Sequence, residues 1–282
     1  MTDRRKWIFA ALGLLLPISV WGWGQDGHSI VAEIAQRRLD SHAVAMVHRL
    51  LGRGNSLASI ASWADDIRSS RPDTYNWHFV DIPVNATKYE PSKHCSATPK
   101  GDCVVAELNR LRRELRCAAN DDLKRDALRY AVHFVGDIHQ PLHTVGDARG
   151  GNDISVEVEI KELKCTGNCQ PKKFQTNFHA FWDESVISST IWDWGAYVTR
   201  LEDGWLKTQE AKGADVGEPV DWALETHALA RIAWNALPAD RRILDTYYKK
   251  QIPVVDKQLG RAGLRLAHLL NEAYASDQCN QR

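Results

Sequence analysis

The sequence predicts a mainly α protein, a single-domain helical bundle carrying one small β-hairpin. Three observations predict it: apolar residues recur at spacings of three and four over most of the chain, prolines and polar caps punctuate those runs, and strict two-residue alternation is confined to one short stretch.

The chain opens with three cations and one anion in residues 1–6, followed by an apolar run over residues 7–20 that closes on Val20, Trp21 and Gly22. This pattern is that of a secretory signal peptide. A membrane anchor needs about 20 apolar residues, whereas this run is shorter and contains Pro17. Cleavage after Gly22 would leave a catalytic domain of residues 23–282, beginning at Trp23, secreted or periplasmic and free of the membrane. That mature chain carries 33 basic and 35 acidic side chains. Such a balance excludes a nucleic-acid groove working by summed positive charge, so any attraction for phosphate has to be local, as at bound metal ions.

From Asn120, a plausible helix N-cap, apolar residues recur at Leu123, Ala127, Ala131, Phe134 and Ile138 until Pro141 ends the helix. Strand character is limited to residues 154–160, where Ile154, Val156, Val158 and Ile160 alternate with polar residues, and Gly167-Asn168 follows as a turn. The stretch reads as an exposed hairpin. Just before it, Gly150-Gly151-Asn152 forms a loop that could bring backbone or Asn152 close to a ligand. Behind Pro253, Val255, Leu259, Ala262, Leu266, Leu269 and Ala273 mark one apolar face of a last helix beginning near that proline. Most of the eleven tryptophans fall on such faces and are expected in the core.

Six cysteines, an even number in an exported chain, favour disulfides, and their spacing lacks the paired C-x-x-C of zinc ribbons. Local pairing joins Cys95 to Cys103 and Cys165 to Cys169, leaving Cys117 with Cys279 by elimination among 15 possible connectivities.

The chemistry concentrates around His133 and Asp137, four residues apart on the helix that Pro141 ends, with His143 just beyond. At the helical repeat the two side chains lie about 40° apart and can converge on one ion, whereas His139 points to the opposite side. His179 and Asp183 repeat the spacing, and His28, Asp65-Asp66 and His78 supply further candidates. One such pair is more often a hydrogen-bonded surface or core pair, but several together with no thiolate suit zinc in an open site. Asp66 and the histidines outside these motifs, including His42, His48, His94, His139, His227 and His268, are read as solvated or core residues.

Taken in order, Trp23-Gly24 with Gly27-His28, Ala61-Ser62-Trp63-Ala64-Asp65, Trp77-His78-Phe79, His133 with Gly136-Asp137, Gln140-Pro141-Leu142-His143, Gly150-Gly151-Asn152 and His179 with Asp183 resemble the zinc-dependent type I single-strand nuclease/3′-nucleotidase family, which is related to zinc phospholipase C. The resemblance runs from Trp23 into the last helix. It implies three zinc ions (Zn2+): one held by Asp65, His78, His133 and Asp137, a second by His143, His179 and Asp183, and a third by His28, the bridging Asp137 and the main-chain amine and carbonyl of Trp23. It implies that Asp65, Arg68 and Asp137 are catalytic, Arg68 steadying phosphoryl charge, and that Phe79, Asp81 and Asn152 bind a nucleobase. The implied enzyme is a monomer that hydrolyses single-stranded DNA and RNA to 5′-phosphorylated products and takes 3′-mononucleotides as well. Zinc chemistry suits that reaction, which needs an activated water, neutralised phosphoryl oxygens and a stabilised leaving alkoxide.

A phospholipase C-type phosphodiesterase built on the same three-zinc cluster is the nearest alternative. Aspartate at Asp183, where that branch resembles His-x-x-x-Glu, and the short interval from Trp23 to His28 count against it. A zinc-stabilised binding protein without turnover is a further alternative, but a purely structural role does not call for three ions around an open position.

Overall fold

Leu50, Leu128, Phe134, Leu259 and Leu266, scattered along the sequence, meet in one buried cluster, because the helices wrap around two central members. The computed structural model describes residues 23–275 and Cys279; the expected signal peptide, residues 1–22, lies outside the described residues. Among the described residues eleven α-helices carry the fold: α1 (Gln25–Gln36), α2 (Ser41–Leu51), α3 (Trp63–Ile67), α4 (Pro91–His94), α5 (Val104–Cys117), α6 (Asp121–Asp137), α7 (Phe178–Ala180), α8 (Val186–Thr190), α9 (Trp194–Asp203), α10 (Pro219–Asn235) and α11 (Asp245–Tyr274). Central α11 packs against α1, α2, α5, α6 and α8, while α6 also packs against α1, α2, α3 and α5. The fold is mainly α, as the sequence indicates.

The sequence signals for α6 hold with one exception. The Asn120 side chain accepts a hydrogen bond from Leu123 N at 3.0 Å, a true N-cap, and Ala127, Ala131, Phe134 and Ile138 are buried. Leu123 is exposed. The last helix shows a larger difference. It begins at Asp245, two turns before Pro253, which lies inside it. Pro253 sits on the exposed face, where solvent can satisfy the carbonyl that its missing N–H leaves unpaired, so the helix runs through it. The expected stripe from Val255 to Ala273 is buried.

The hairpin pairs β1 (Ser155–Ile160) with β2 (Lys172–Asn177), antiparallel from Ser155↔Asn177 to Ile160↔Lys172. A third strand, β3 (Arg242–Leu244), adds to the other edge of β1 in parallel. Three residues are too few to show an alternation, so nothing in the sequence marks β3. Nor is the hairpin wholly exposed: Val156, Val158 and Ile160 belong to the core, and only the opposite face is solvated.

All three expected disulfides are present, Cys95–Cys103, Cys117–Cys279 and Cys165–Cys169. Trp23, Trp182 and Trp222 are buried, while among the described residues Trp192 and Trp194 are the exposed exceptions to the expected core placement. Among the described residues no helix is long and apolar enough to cross a membrane.

Removing the α6 cap should register in stability alone. Asn120→Ala is expected to destabilise the protein by about 1 kcal/mol, read as a lower urea midpoint with an unchanged m-value. An unchanged midpoint would show that the cap does not hold the helix end.

Candidate metal centre

Helix α6 places His133 and Asp137 one turn apart, with His133 Nε2 3.2 Å from Asp137 Oδ2. Both are fully buried, and they are met from three other segments. His78, at the end of a 3-10 turn over Pro72–His78, brings Nδ1 to 3.0 Å from Asp137 Oδ2. Asp65 on α3 lies 3.4 Å from His78 Nδ1 and 3.5 Å from His133 Nε2. From α1, His28 stacks on the His133 ring with centroids 3.9 Å apart and reaches to 3.4 Å from Asp137 Oδ1. That approach requires Gly136, because a Cβ there would stand 2.6 Å from His28 Nδ1.

Pro141 stops α6 and opens a 3-10 turn, Pro141–Thr144, that presents His143 to the same centre, 3.6 Å from Asp137 Oδ1. The His143 and His179 rings lie 4.9 Å apart, and His179 Nε2 is 3.3 Å from Asp183 Oδ2. The chain between His179 and Asp183 is not a regular α-helix. Phe181–Ser185 forms a π turn, a widened loop typical of functional sites, and Gln140 Nε2 donates to Asp183 Oδ1. Gly150 completes the arrangement with φ of 64°, and its carbonyl accepts from His179 Nδ1 at 2.8 Å. A Cβ at Gly150 would press on Leu142 O at 2.7 Å.

Potential donor atoms gather in three groups, each within 4.8 Å: His28, His133 and Asp137; Asp65, His78 and His133; and His143, His179 and Asp183. The residues fit metal ions. His133, His143 and His179 each direct Nδ1 at a main-chain carbonyl, of Ala61, His78 and Gly150 respectively, which fixes the ring and leaves Nε2 facing inward. Nε2 of His28, His143 and His179, with Oδ1 of Asp65 and Asp137, is buried without a hydrogen-bond partner. So many orphaned lone pairs would be costly in an interior unless they ligate cations.

The protonation states agree. Burial lowers the pKa of His28 and His143, takes His78 to about 4 and, with neighbouring His143, takes His179 to about 3, so their lone pairs are available. Burial opposes charge on His133 too, but Asp137 and Asp65 outweigh it and raise its pKa well above normal. Asp65 falls to about 2 against its burial, mainly through His133. Burial pushes Asp183 well above the carboxylate range despite the Gln140 hydrogen bond. A divalent cation at that position would reverse the preference and hold Asp183 ionised.

A cavity of about 280 Å³ opens beside His143 and His179 and is lined by Arg68, Phe79, Asp81 and Asn152, so those four residues are brought together. The Arg68 guanidinium lies 4.1 Å from the Tyr75 ring centroid and donates to Tyr75 O at 3.1 Å. Phe79 meets the edge of the same ring at 6.1 Å. Burial raises the Asp81 pKa, and Asn152 Oδ1 is buried without a hydrogen-bond partner. Trp23 stands apart from the side-chain groups because its expected donors are main-chain atoms. It is buried, and Gly24 N donates to Asp183 O at 3.0 Å, which holds the start of α1 against the π turn.

Sequence reasoning missed Gln140 as an Asp183 partner and Tyr75, Lys100 and Arg149 as cavity walls. Tyr75 could have been found between Arg68 and Phe79; Lys100, in the loop closed by Cys95 and Cys103, has no local signal. Of the histidines set aside, His42 and His48 are exposed, and His139 and His227 are engaged elsewhere. His139 lies between Val135 O and Arg265, and His227 between Thr144 O and Ala86 O.

A mainly α bundle with this centre is a phosphodiester hydrolase by family. The S1/P1 Nuclease family profile matches residues 23–275, and the chain belongs to that family. It is 29% identical to Endonuclease 3 of Arabidopsis thaliana over 96% of both chains. It is 28% identical to Nuclease P1 of Penicillium citrinum over 90% of this chain and 99% of the relative, and 26% identical to Nuclease S1 of Aspergillus oryzae over 91% and 96%.

The close approach at Gly136 gives a test of the centre. Gly136→Ala should displace His28, lower stability by about 1–3 kcal/mol through overpacking, and reduce the divalent metal retained per chain in elemental analysis. Unchanged metal content and stability would mean that His28 does not need this position.

Proposed function

We propose that the protein is a secreted zinc-dependent endonuclease, cleaving single-stranded DNA and RNA to 5′-phosphorylated products and removing phosphate from 3′-mononucleotides. The observation that carries this reading is the adjoining of three buried donor groups and a cavity walled by an aromatic ring, a carboxylate and a carboxamide. In it, Asp65, His78, His133 and Asp137 hold one zinc, His143, His179 and Asp183 a second, and His28, Asp137 and the Trp23 main chain a third. Bound zinc supplies activated water at neutral pH and neutralises charge on the phosphoryl and leaving oxygens.

The protein's own groups position the substrate. Phe79 stacks one base while Asp81 and Asn152 hydrogen-bond its edge, which requires the base to be unpaired and selects single strands. Arg68, fixed by Tyr75, directs a planar cation at the phosphoryl oxygens. A nucleoside held this way presents its 3′-phosphate to the centre, so a 3′-mononucleotide occupies the site as a strand does. The enzyme works as a monomer of one catalytic domain, residues 23–282, after removal of residues 1–22. The family match beginning at residue 23 and the three disulfides support that boundary and an oxidising destination. No specific observation favours a lipid substrate.

Turnover of denatured DNA, RNA and a 3′-mononucleotide, with and without a chelator, tests the reading, and activity on phosphatidylcholine alone would overturn it. Asp137→Asn should cost more kcat/KM than Asp81→Asn, whose loss should match one charged hydrogen bond, about 1.5–3 kcal/mol. Because Asp81 must be ionised to accept from the base, KM should rise as pH falls through its raised pKa in the wild type but not in Asp81→Asn. Equal losses with zinc content unchanged would defeat the proposed bridge.

Processing supplies a further test. An α-amine with a pKa near 7.7–8.0 can yield its proton to zinc, whereas the amide of an uncleaved Gly22–Trp23 bond has no basic lone pair. Protein beginning at Trp23 should therefore bind more zinc, and cleave faster, than protein carrying an added Gly-Ser. Equal zinc and equal rates would remove the Trp23 amine from the ligand set.

A further inference from the structure

Three cations line the cavity, and two are already engaged. Arg68 is held by the carbonyl and ring of Tyr75, and Arg149 pairs with Asp153 at 3.1 Å. Lys100 differs. Its ammonium lies 5.2 Å from the Tyr75 ring centroid, within cation–π range, and among the described residues no carboxylate pairs with it. In a chain with nearly balanced charge, an unneutralised ammonium in the wall of the substrate cavity is a local attraction for an anion.

The backbone carrying Lys100 is fixed while its side chain stays exposed. The Cys95–Cys103 disulfide closes the loop, Thr98 and Gly101 exchange backbone hydrogen bonds at 3.1 and 3.0 Å, and Asn76 N donates to Lys100 O at 2.9 Å. The last contact ties the loop to the turn that carries Tyr75 and His78. Lys100 is thus anchored to the segment that positions the centre, with a compact, rotatable charge at the end of a flexible stem.

We infer that Lys100 binds the 5′-phosphate of the nucleotide whose base occupies the cavity, and so lets the enzyme favour an internal strand position over a 5′-terminal nucleoside. The inference rests on the base-pocket reading proposed above. With the base against Phe79 and Asp81 and the 3′-phosphate toward His143 and His179, the second phosphate attachment of the same nucleotide, its 5′-oxygen, leaves by the remaining wall. A cation there contacts a group that strands possess and 3′-mononucleotides lack. One such contact adds a modest, salt-sensitive preference without requiring a basic groove.

The experiment compares one dinucleotide with and without a 5′-phosphate, as the ratio of the two kcat/KM values. The wild type should favour the phosphorylated substrate about twofold to fivefold at low salt, the range of an exposed charge pair, and less as salt rises. Lys100→Met should bring the ratio close to one, and Lys100→Arg should keep most of it. A wild-type ratio near one, or a ratio that survives Lys100→Met, would overturn the inference while leaving the proposed function standing. If the wild type cleaved neither dinucleotide, the base-pocket reading would fall and the inference with it.

Discussion

The geometry of the centre turns on one buried carboxylate. Asp137 has no exposure to solvent, yet its surroundings keep its pKa well below the ordinary carboxylate range: burial opposes ionisation, and His133 and His143 outweigh it. A lone anion in such a place would protonate or disrupt the fold. The structure instead brings imidazoles to it from α1, the turn ending at His78, α6 itself and the turn after Pro141, at 3.0 to 3.6 Å. Gly136, Pro141 and the packing of α1 on α6 can each be understood as conditions for that convergence.

What the sequence made legible follows from where each signal resides. His133 and Asp137 were readable because helical periodicity alone places them on one face, and the proline stop that carries His143 is equally local. His179 and Asp183 were paired correctly, but by a spacing that implied a regular helix; the π turn arises from tertiary contacts, including Gly24 N to Asp183 O and Gln140 to Asp183, that no local pattern contains. The same distinction explains β3, paired only because β1 offers an edge, and the continuation of α11 through Pro253, allowed because that face meets solvent. Arg68, Phe79 and Asp81 come from the family resemblance alone, since their convergence with Asn152 on one cavity depends on the fold. Lys100 carried neither kind of signal.

Substrate selection in this arrangement depends on shape more than on field. The chain carries no formal net charge, so long-range steering toward a polyanion is weak and discrimination has to occur at contact. A cavity of about 280 Å³ is small beside the usual range of ligand pockets, about 300–1,000 Å³. Such a space suits one base at a time, and a duplex would have to unstack a nucleotide to fill it. On the proposed reading, selectivity for unpaired strands would follow from the cost of unpairing rather than from recognition of a particular sequence.

A cation bound by these donors would couple metal loading to folding. His28, Asp65, Asp137, His143 and His179 each bury at least one ligand-capable atom with no hydrogen-bond partner, and Asp183 resists ionisation where it stands. Each is unfavourable in the metal-free fold and favourable once a cation is bound, so binding to the folded state stabilises it by mass action. The cost of assembling the donors is carried by the rest of the bundle, chiefly the contacts of α1 and α6 with α11. Those contacts position the helices that carry His28, His133 and Asp137. Main-chain carbonyls orient His133, His143 and His179 independently of metal. Donors oriented in this way by the fold's own hydrogen bonds leave less ordering for a cation to impose, which would favour its affinity.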